Sequence, residues 1–271
     1  MRPDLMRRVQ RYGWDKAADV YERHWSAQLL PAQELLLRMA DLQPGERVLD
    51  VAAGTGLATF PAAAAVGPSG EVVGTDISTR MVEAAALEAE RRGLDNVRFV
   101  RTDAEALEVD GGPFDAALCA LGLMYVPDPV AALARMREVT RPGGRVASAV
   151  WGARARCGWA EIFPIVDSRV ESDVCPMFFA LGTGDALRAA YEQAGMPDAV
   201  VERISITLEY ADDSDAIGAA FAGGPVALAY SRFDDATRDE AHAEYLASIA
   251  AYRVGEGYRI PGEFVVAVAR R

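Results

Sequence analysis

The chain has 271 residues, 51% of them apolar, enough for one large α/β domain or one domain with a substantial cap. Lys plus Arg number 28 against 40 Asp plus Glu, a formal charge of −12, and a surface of that sign repels a phosphate backbone, so nucleic acid is not an expected partner. Cys119, Cys157 and Cys175 are odd in number and widely spaced, which gives neither a disulfide framework nor a metal-ligand pattern, and no metal is expected. The basic N-terminus MRPDLMRRVQRYGWDK has no apolar run behind it, and no stretch approaches the ~18 apolar residues of a membrane span. The expected setting is cytoplasmic, without a membrane partner.

In chain order, residues 15–40 read as one or two helices broken near Pro31, with leucines on the apolar side. LQPGERVLDVA is a Pro-Gly turn that enters a first strand at about Arg47, and a short Ala-rich helix follows and ends at GPSG. A second strand spans Glu71 to Asp76. The next helix has Ser78 as N-cap and Gly93 as its stop. Third and fourth strands end near Thr102 and Leu121. A helix from about Pro129 stops at Pro142, and a fifth strand runs from Arg145 to Trp151. This alternation predicts βαβ units in a mostly parallel sheet covered on both faces. Beyond Trp151 the rhythm is lost until a helix at 185–195. A strand follows at Val200–Tyr210, then a largely helical stretch at 214–254 split by GGP, and a final strand in GEFVVAVARR. The expected division is an N-terminal helical cap at 1–40, a ligand-binding core at 41–152, and lid segments plus closing strands at 153–271.

The stretch VLDVAAGTGLAT, Val48 to Thr59, reads as strand, glycine turn and helix start. It has Gly54-x-Gly56 but Thr59 where a nicotinamide fingerprint wants its third glycine, and no Lys-Ser/Thr pair follows, which excludes a Walker loop. Asp50, just before the turn, would repel a pyrophosphate and attract an ammonium group. Asp76, 20 residues after Gly56, can accept both hydroxyls of a ribose. Asp103 can accept from an adenine amine and the Ala104 N–H can donate to a ring nitrogen. Three such strand ends suit an adenosine with an attached amino acid, S-adenosylmethionine (SAM).

VLDVAAGTG, VVGTDIS, RTDAEAL, FDAALCALGLMYVPDP and MREVTRPGGRVA follow one another in an order that resembles the class I SAM-dependent methyltransferases, most closely their ubiquinone/menaquinone-biosynthesis-like small-molecule branch. The resemblance covers residues 45–151 well and 185–271 loosely. It implies an α/β, doubly wound, seven-stranded, mostly parallel Rossmann-like sheet with an antiparallel last strand and a helical cap. It also implies that Gly54 and Thr55 line the methionine part of the cofactor. Asp76 and Ile77 would hold ribose and adenine, Asp103 and Ala104 would face the adenine edge, and Ala120 would offer its backbone. Asp50, Ala52, Gly56, Met81 and Tyr21 complete the expected cofactor set. Many members have glycine at Ala52, and alanine there is tolerable if its φ stays below zero.

His24 is the catalytic candidate, against the alternative of a solvent-facing histidine; His242 reads as surface. Met124 and Tyr125 after strand four, and Trp159 and Phe178 in the segment GWAEIFPIVDSRVESDVCPMFF, are the candidate acceptor residues, with Phe163 and Phe179 beside them in an aromatic roof. Trp14 and Trp25 read as packing. The loop lacks the Asn/Asp-Pro-Pro-aromatic sequence of methyltransferases that act on nucleic-acid bases. The expected reaction is methyl transfer to oxygen, carbon or nitrogen of a hydrophobic or aromatic small molecule. A non-catalytic SAM-binding regulator and a nicotinamide oxidoreductase are the alternatives, and the latter lacks a Tyr-x-x-x-Lys pair. Helices in 212–260 offer a surface for a homodimer, which the sequence does not decide.

Overall fold

The structure is a computed structural model that describes residues 2–170, 175 and 177–271. Residues 171–174 and 176, part of the expected roof segment, lie outside the described residues.

Five apolar runs form parallel strands: β1 (Arg47–Val51), β2 (Glu71–Asp76), β3 (Val97–Arg101), β4 (Phe114–Ala120) and β5 (Thr140–Trp151). Two long strands, β6 (Val200–Tyr210) and β8 (Gly257–Arg270), extend the sheet beyond β5; β8 runs antiparallel to both of its neighbours, so β6 points the same way as the first five. The order is β3-β2-β1-β4-β5-β8-β6, so the seven main strands agree with the expected sheet, and a two-residue β7 (Arg253–Val254) adds a hairpin to β8. Strand order reverses between β1 and β4, which opens a crevice at their carboxyl ends.

Helices α1 (Pro3–Ala17) and α2 (Tyr21–Ala40) precede the sheet; α3 (Thr59–Val66), α4 (Thr79–Arg91) and α5 (Pro129–Val139) connect its parallel strands. The Ser78 hydroxyl caps α4 by accepting from the Met81 N–H, and the Asp128 carboxylate caps α5 through the Ala131 N–H. After β5 come α6 (Ile162–Asp167), α7 (Ala186–Gln193), α8 (Asp213–Ile217), a π-helical turn at 218–222, α9 (Ala227–Tyr230) and α10 (Asp235–Ser248).

Two expectations need correction. Helix α2 runs unbroken through Pro31. An interior proline costs ~3 kcal/mol, but α2 buries Trp25, Leu29, Leu35 and Leu36, and each such side chain contributes ~1.5–3 kcal/mol. Ala52 has φ +56, not a negative φ. The turn therefore demands the left-handed conformation that glycine adopts freely, and alanine holds it at a cost of ~1–2 kcal/mol. Leu121 does the same at φ +63, so both loops that flank the crevice carry strain.

Two buried polar contacts tie the sheet to its covering helices. The Tyr191 hydroxyl on α7 donates to Ser148 Oγ on β5 at 2.9 Å, both side chains fully buried. The Thr59 hydroxyl at the start of α3 donates to Asp50 Oδ2 at the end of β1 at 2.6 Å. Tyr191→Phe is expected to lower the unfolding free energy by about 1–2 kcal/mol in urea titrations, because Ser148 stays buried without its donor.

Burial pushes the Asp50 carboxyl up to about 7, against the Thr59 bond that lowers it, and the nearby Asp76 charge adds to the rise. The folded chain thus holds this proton at pH values where the unfolded chain, near 3.8, has lost it. The stability linked to Asp50 is complete below pH ~4 and is lost as pH rises through about 7. Urea titrations across that window should show a flatter pH dependence for Asp50→Asn than for the parent, with a residual slope of the same sign from Asp76.

Candidate active site

The carboxyl ends of β1, β2, β3 and β4 open into one cavity of about 1150 Å³, counting its mouth, beneath α1 and α2. Its base is the glycine turn. Gly54 takes φ +57 with open space where a side chain would stand, and Gly122 lies so close to Ala52 and Cys119 that a Cβ would collide with both. These two glycines therefore bring the β1 and β4 loops together while leaving room above the turn for a ligand.

Asp76 organises this end. Its carboxylate accepts from the Gly54 N–H at 2.9 Å and the Ser78 N–H at 2.8 Å, and from the Ile77 N–H. Burial raises its pKa to about 6; the backbone bonds pull the other way, and the charge of Asp15 adds to the rise. The Ser78 hydroxyl donates to Asp15 on α1 at 2.6 Å, so the cap helix is fastened to the same corner. Asp103 also lines the cavity, but its carboxylate is paired with Arg7 of α1 at 2.8 Å; Arg7 reaches Glu105 as well, at 2.7 Å.

The other end of the cavity is aromatic. Trp14 stands 5.7 Å from Tyr21 and 5.1 Å from Tyr125 between ring centroids. Tyr125 stands 5.5 Å from Phe178, which is 5.5 Å from Trp159, and Trp159 meets Trp25 and Trp151 at 6.0 and 4.8 Å. Burial drives both tyrosine hydroxyls above their ordinary pKa, so each is a proton donor.

Of the sequence-predicted cofactor residues, Ala52, Gly54, Asp76, Ile77, Met81, Asp103, Ala104, Ala120 and Tyr21 line this cavity, as do the acceptor candidates Met124, Tyr125, Trp159 and Phe178. Asp50, Thr55 and Gly56 do not. Asp50 turns beneath the loop to take the Thr59 hydroxyl, Thr55 is buried with an unpartnered Oγ1, and Gly56 lies against the ring of Phe60. His24 is neither at the cavity nor in solvent. Its ring packs against Gly218 and its Cβ against Gly223, with Nδ1 3.6 Å from Asp215, and it is not among the residues that line the cavity. His242 is half-buried rather than on the surface, its Nε2 3.0 Å from the Tyr230 hydroxyl. Phe163 and Phe179 sit behind Trp159 and Phe178 rather than on the wall. Trp14 and Trp25, expected as packing, line the cavity.

The sequence reading missed Arg7, Gln10, Leu29 and Gln33 on the wall. Helix α1 starts at Pro3, well before residue 15. Its spacing of Arg7, Gln10 and Trp14 on one face was a usable signal.

A family model described as a methyltransferase domain matches residues 42–160. The chain is 32% identical over 200 residues to aklanonic acid methyltransferase of Streptomyces sp. (strain C5), covering 74% of this chain and 84% of that protein. It is 38% identical over 112 residues to demethylmenaquinone methyltransferase of Geobacillus kaustophilus (strain HTA426), covering 41% of this chain and 48% of that one, so this match spans about half of that relative. The fold matches phosphoethanolamine N-methyltransferase 2 of Haemonchus contortus, solved with S-adenosylhomocysteine, at a TM-score of 0.62 and 18% identity over 99% of this chain and 60% of that one. The order of strands, the strained glycine turn over a ligand-sized cavity and these likenesses agree: the chain belongs to the class I SAM-dependent methyltransferases and uses SAM as its cofactor.

Proposed function

We propose that the enzyme methylates a hydrophobic, aromatic small molecule held in the cage of Trp14, Trp25, Tyr125, Trp159 and Phe178. The observation that carries this reading is the cage itself. It is continuous with the Asp76 corner in one cavity, and its walls come from α1, α2, β5 and the segments after β4 and β5. Relatives named for aklanonic acid and demethylmenaquinone support an apolar, ring-bearing acceptor. Residues 1–40 and the lid segments of 153–271 serve in this reading as the cap that shapes the acceptor end over the 41–152 core, while β6 and β8 complete the sheet. Among the described residues no helix is long and apolar enough to cross a membrane.

When bound, SAM supplies an electrophilic methyl on a sulfonium, whose leaving group is already good. The chain's own work is therefore placement, and well-oriented reactants account for ~7–11 kcal/mol of barrier lowering. Gly54 and Ala52 keep the turn low enough for the cofactor to lie across the strand ends. Asp76 offers its remaining acceptor capacity to the ribose hydroxyls while its backbone bonds hold the turn, and Ile77 and Met81 pack the adenosine. Asp103 and Ala104 face the adenine edge once Arg7 shares or yields the carboxylate. The Tyr21 hydroxyl stands near Asp76 and donates toward the cofactor's amino-acid end. The aromatic cage excludes water and leaves the acceptor one way to face the methyl.

Thermal-shift titration with SAM and S-adenosylhomocysteine, followed by a labelled-methyl screen of phenols, quinols, amines and thiols, tests the reading. A native-state ligand raises the melting temperature, and labelled product from none of the aromatic acceptors would overturn the reading. Asp76→Ala should weaken S-adenosylhomocysteine by about 10- to 100-fold in calorimetry, through loss of a buried charged acceptor and of the turn it holds. Trp159→Ala should raise the acceptor KM at least tenfold with the adenosyl shift intact, whereas His24→Ala, off the cavity, should leave kcat within about twofold.

A further inference from the structure

Helix α1 brings more than a hydrophobic cover to the cavity. Arg7, Gln10 and Trp14 share its inner face, and the helix is fastened at both ends, by Arg7 to Asp103 and Glu105 and by Asp15 to the Ser78 hydroxyl. Gln10 is 6% exposed, and a glutamine this buried is uncommon. Its amide nitrogen makes one contact, 3.6 Å to Cys175 Sγ, and sulfur is a weak acceptor. Among the described residues nothing donates to its carbonyl oxygen, and nothing hydrogen-bonds the Tyr125 hydroxyl. Tyr125 and Gln10 are neighbours through Trp14, one helical turn from Gln10 and 5.1 Å from the Tyr125 ring, and through Cys175, whose charge would also act on Tyr125. Two strong polar groups thus face an otherwise aromatic end of the cavity with their hydrogen-bonding capacity unspent. Both residues line the cavity, so a ligand seated there can take up this capacity.

We propose that Gln10 and Tyr125 form a two-point clamp that selects acceptors bearing a conjugated oxygen beside the atom to be methylated: hydroxyquinones, acyl phenols and enolised diketones. This rests on the aromatic cage being the acceptor site. The Tyr125 phenol is a donor, so it meets a carbonyl or an oxyanion. The Gln10 amide donates from nitrogen and accepts at oxygen, so it meets an adjoining carbonyl or hydroxyl. A hydroxyl conjugated to a carbonyl satisfies both at once; a plain hydrocarbon of the same shape leaves both unsatisfied. The clamp stands beside the strand-four loop, next to Met124 and close to Tyr21, which itself senses the Asp76 charge. An oxygen held there lies at the junction of the aromatic end with the cofactor end, where the reacting atoms must meet. Gln10 and Tyr125 are specificity-determining residues in this arrangement and take no proton.

The test uses the full chain loaded with S-adenosylhomocysteine and two probes of matched size, lawsone (a hydroxynaphthoquinone) and methylnaphthalene, with Kd measured by calorimetry. The parent should bind lawsone at least tenfold more tightly. Gln10→Met and Tyr125→Phe, which keep shape and remove hydrogen bonds, should each cut that preference by about 5- to 100-fold. The S-adenosylhomocysteine thermal shift of each variant reports that it folds and keeps its cofactor site. Equal binding of the two probes by the parent, or a preference that survives in both variants, would overturn the clamp and leave the aromatic-acceptor reading standing. Binding of neither probe, with the adenosyl shift intact, would overturn the aromatic cage and the clamp together.

Discussion

The structure depends on one buried carboxylate. Asp76 ends β2 at 8% exposure and accepts N–H groups from Gly54 of the glycine turn and from Ile77 and Ser78 at the start of α4. A carboxylate taken out of water is unfavourable unless hydrogen bonds replace its hydration, and here the backbone of two loops does so. Ser78, one of those donors, caps α4 through its hydroxyl oxygen and donates a hydrogen bond from the same hydroxyl to Asp15 of α1. Turn, strand, helix and cap are thereby fixed to one another at the edge of the cavity.

The two strained residues flank that corner. Ala52 and Leu121 hold positive φ on the loops after β1 and β4, the strands between which the order of the sheet reverses. Neither conformation is favourable for a residue with a Cβ, so the packing around them must enforce it. Gly122 lets the two loops touch, and the strain keeps both backbones low beneath the cavity. Asp50 contributes from below. It does not line the cavity; it ties β1 to α3 through the Thr59 hydroxyl.

The far end of the cavity is built from segments outside the core. Helices α1 and α2 and the segments after β5 enclose the aromatic end, and their polar contribution is small and specific: Gln10, Gln33 and the hydroxyls of Tyr21 and Tyr125. His24 shows how position overrides residue type. On a helix beside the cavity, a histidine is the natural candidate for proton transfer, yet its ring packs against Gly218 of the π-helical turn and its Cβ against Gly223. Methyl transfer from a sulfonium puts weight on orientation rather than on a base, so a histidine placed off the cavity is compatible with that chemistry.

The sequence by itself determined the parallel core, its βαβ rhythm and the strand ends that line the cavity, because these depend on local signals. Strands buried on both faces read as short apolar runs, glycines mark the turn, and carboxylates fall at strand ends a fixed distance apart. Ser78 and Asp128 were legible as caps for the same reason. Only the tertiary structure decided that α2 passes through Pro31, that Ala52 adopts a positive φ, that Asp50 and Thr55 turn away from the cavity, and that Arg7, Gln10 and Trp14 turn toward it. Each of these rests on contacts between segments far apart in the chain: leucines of α2 on the sheet, the β1 loop against the β4 loop, and α1 against Asp103 and Cys175. Such contacts leave no periodicity in the sequence, and the acceptor end of the site is made almost wholly of them.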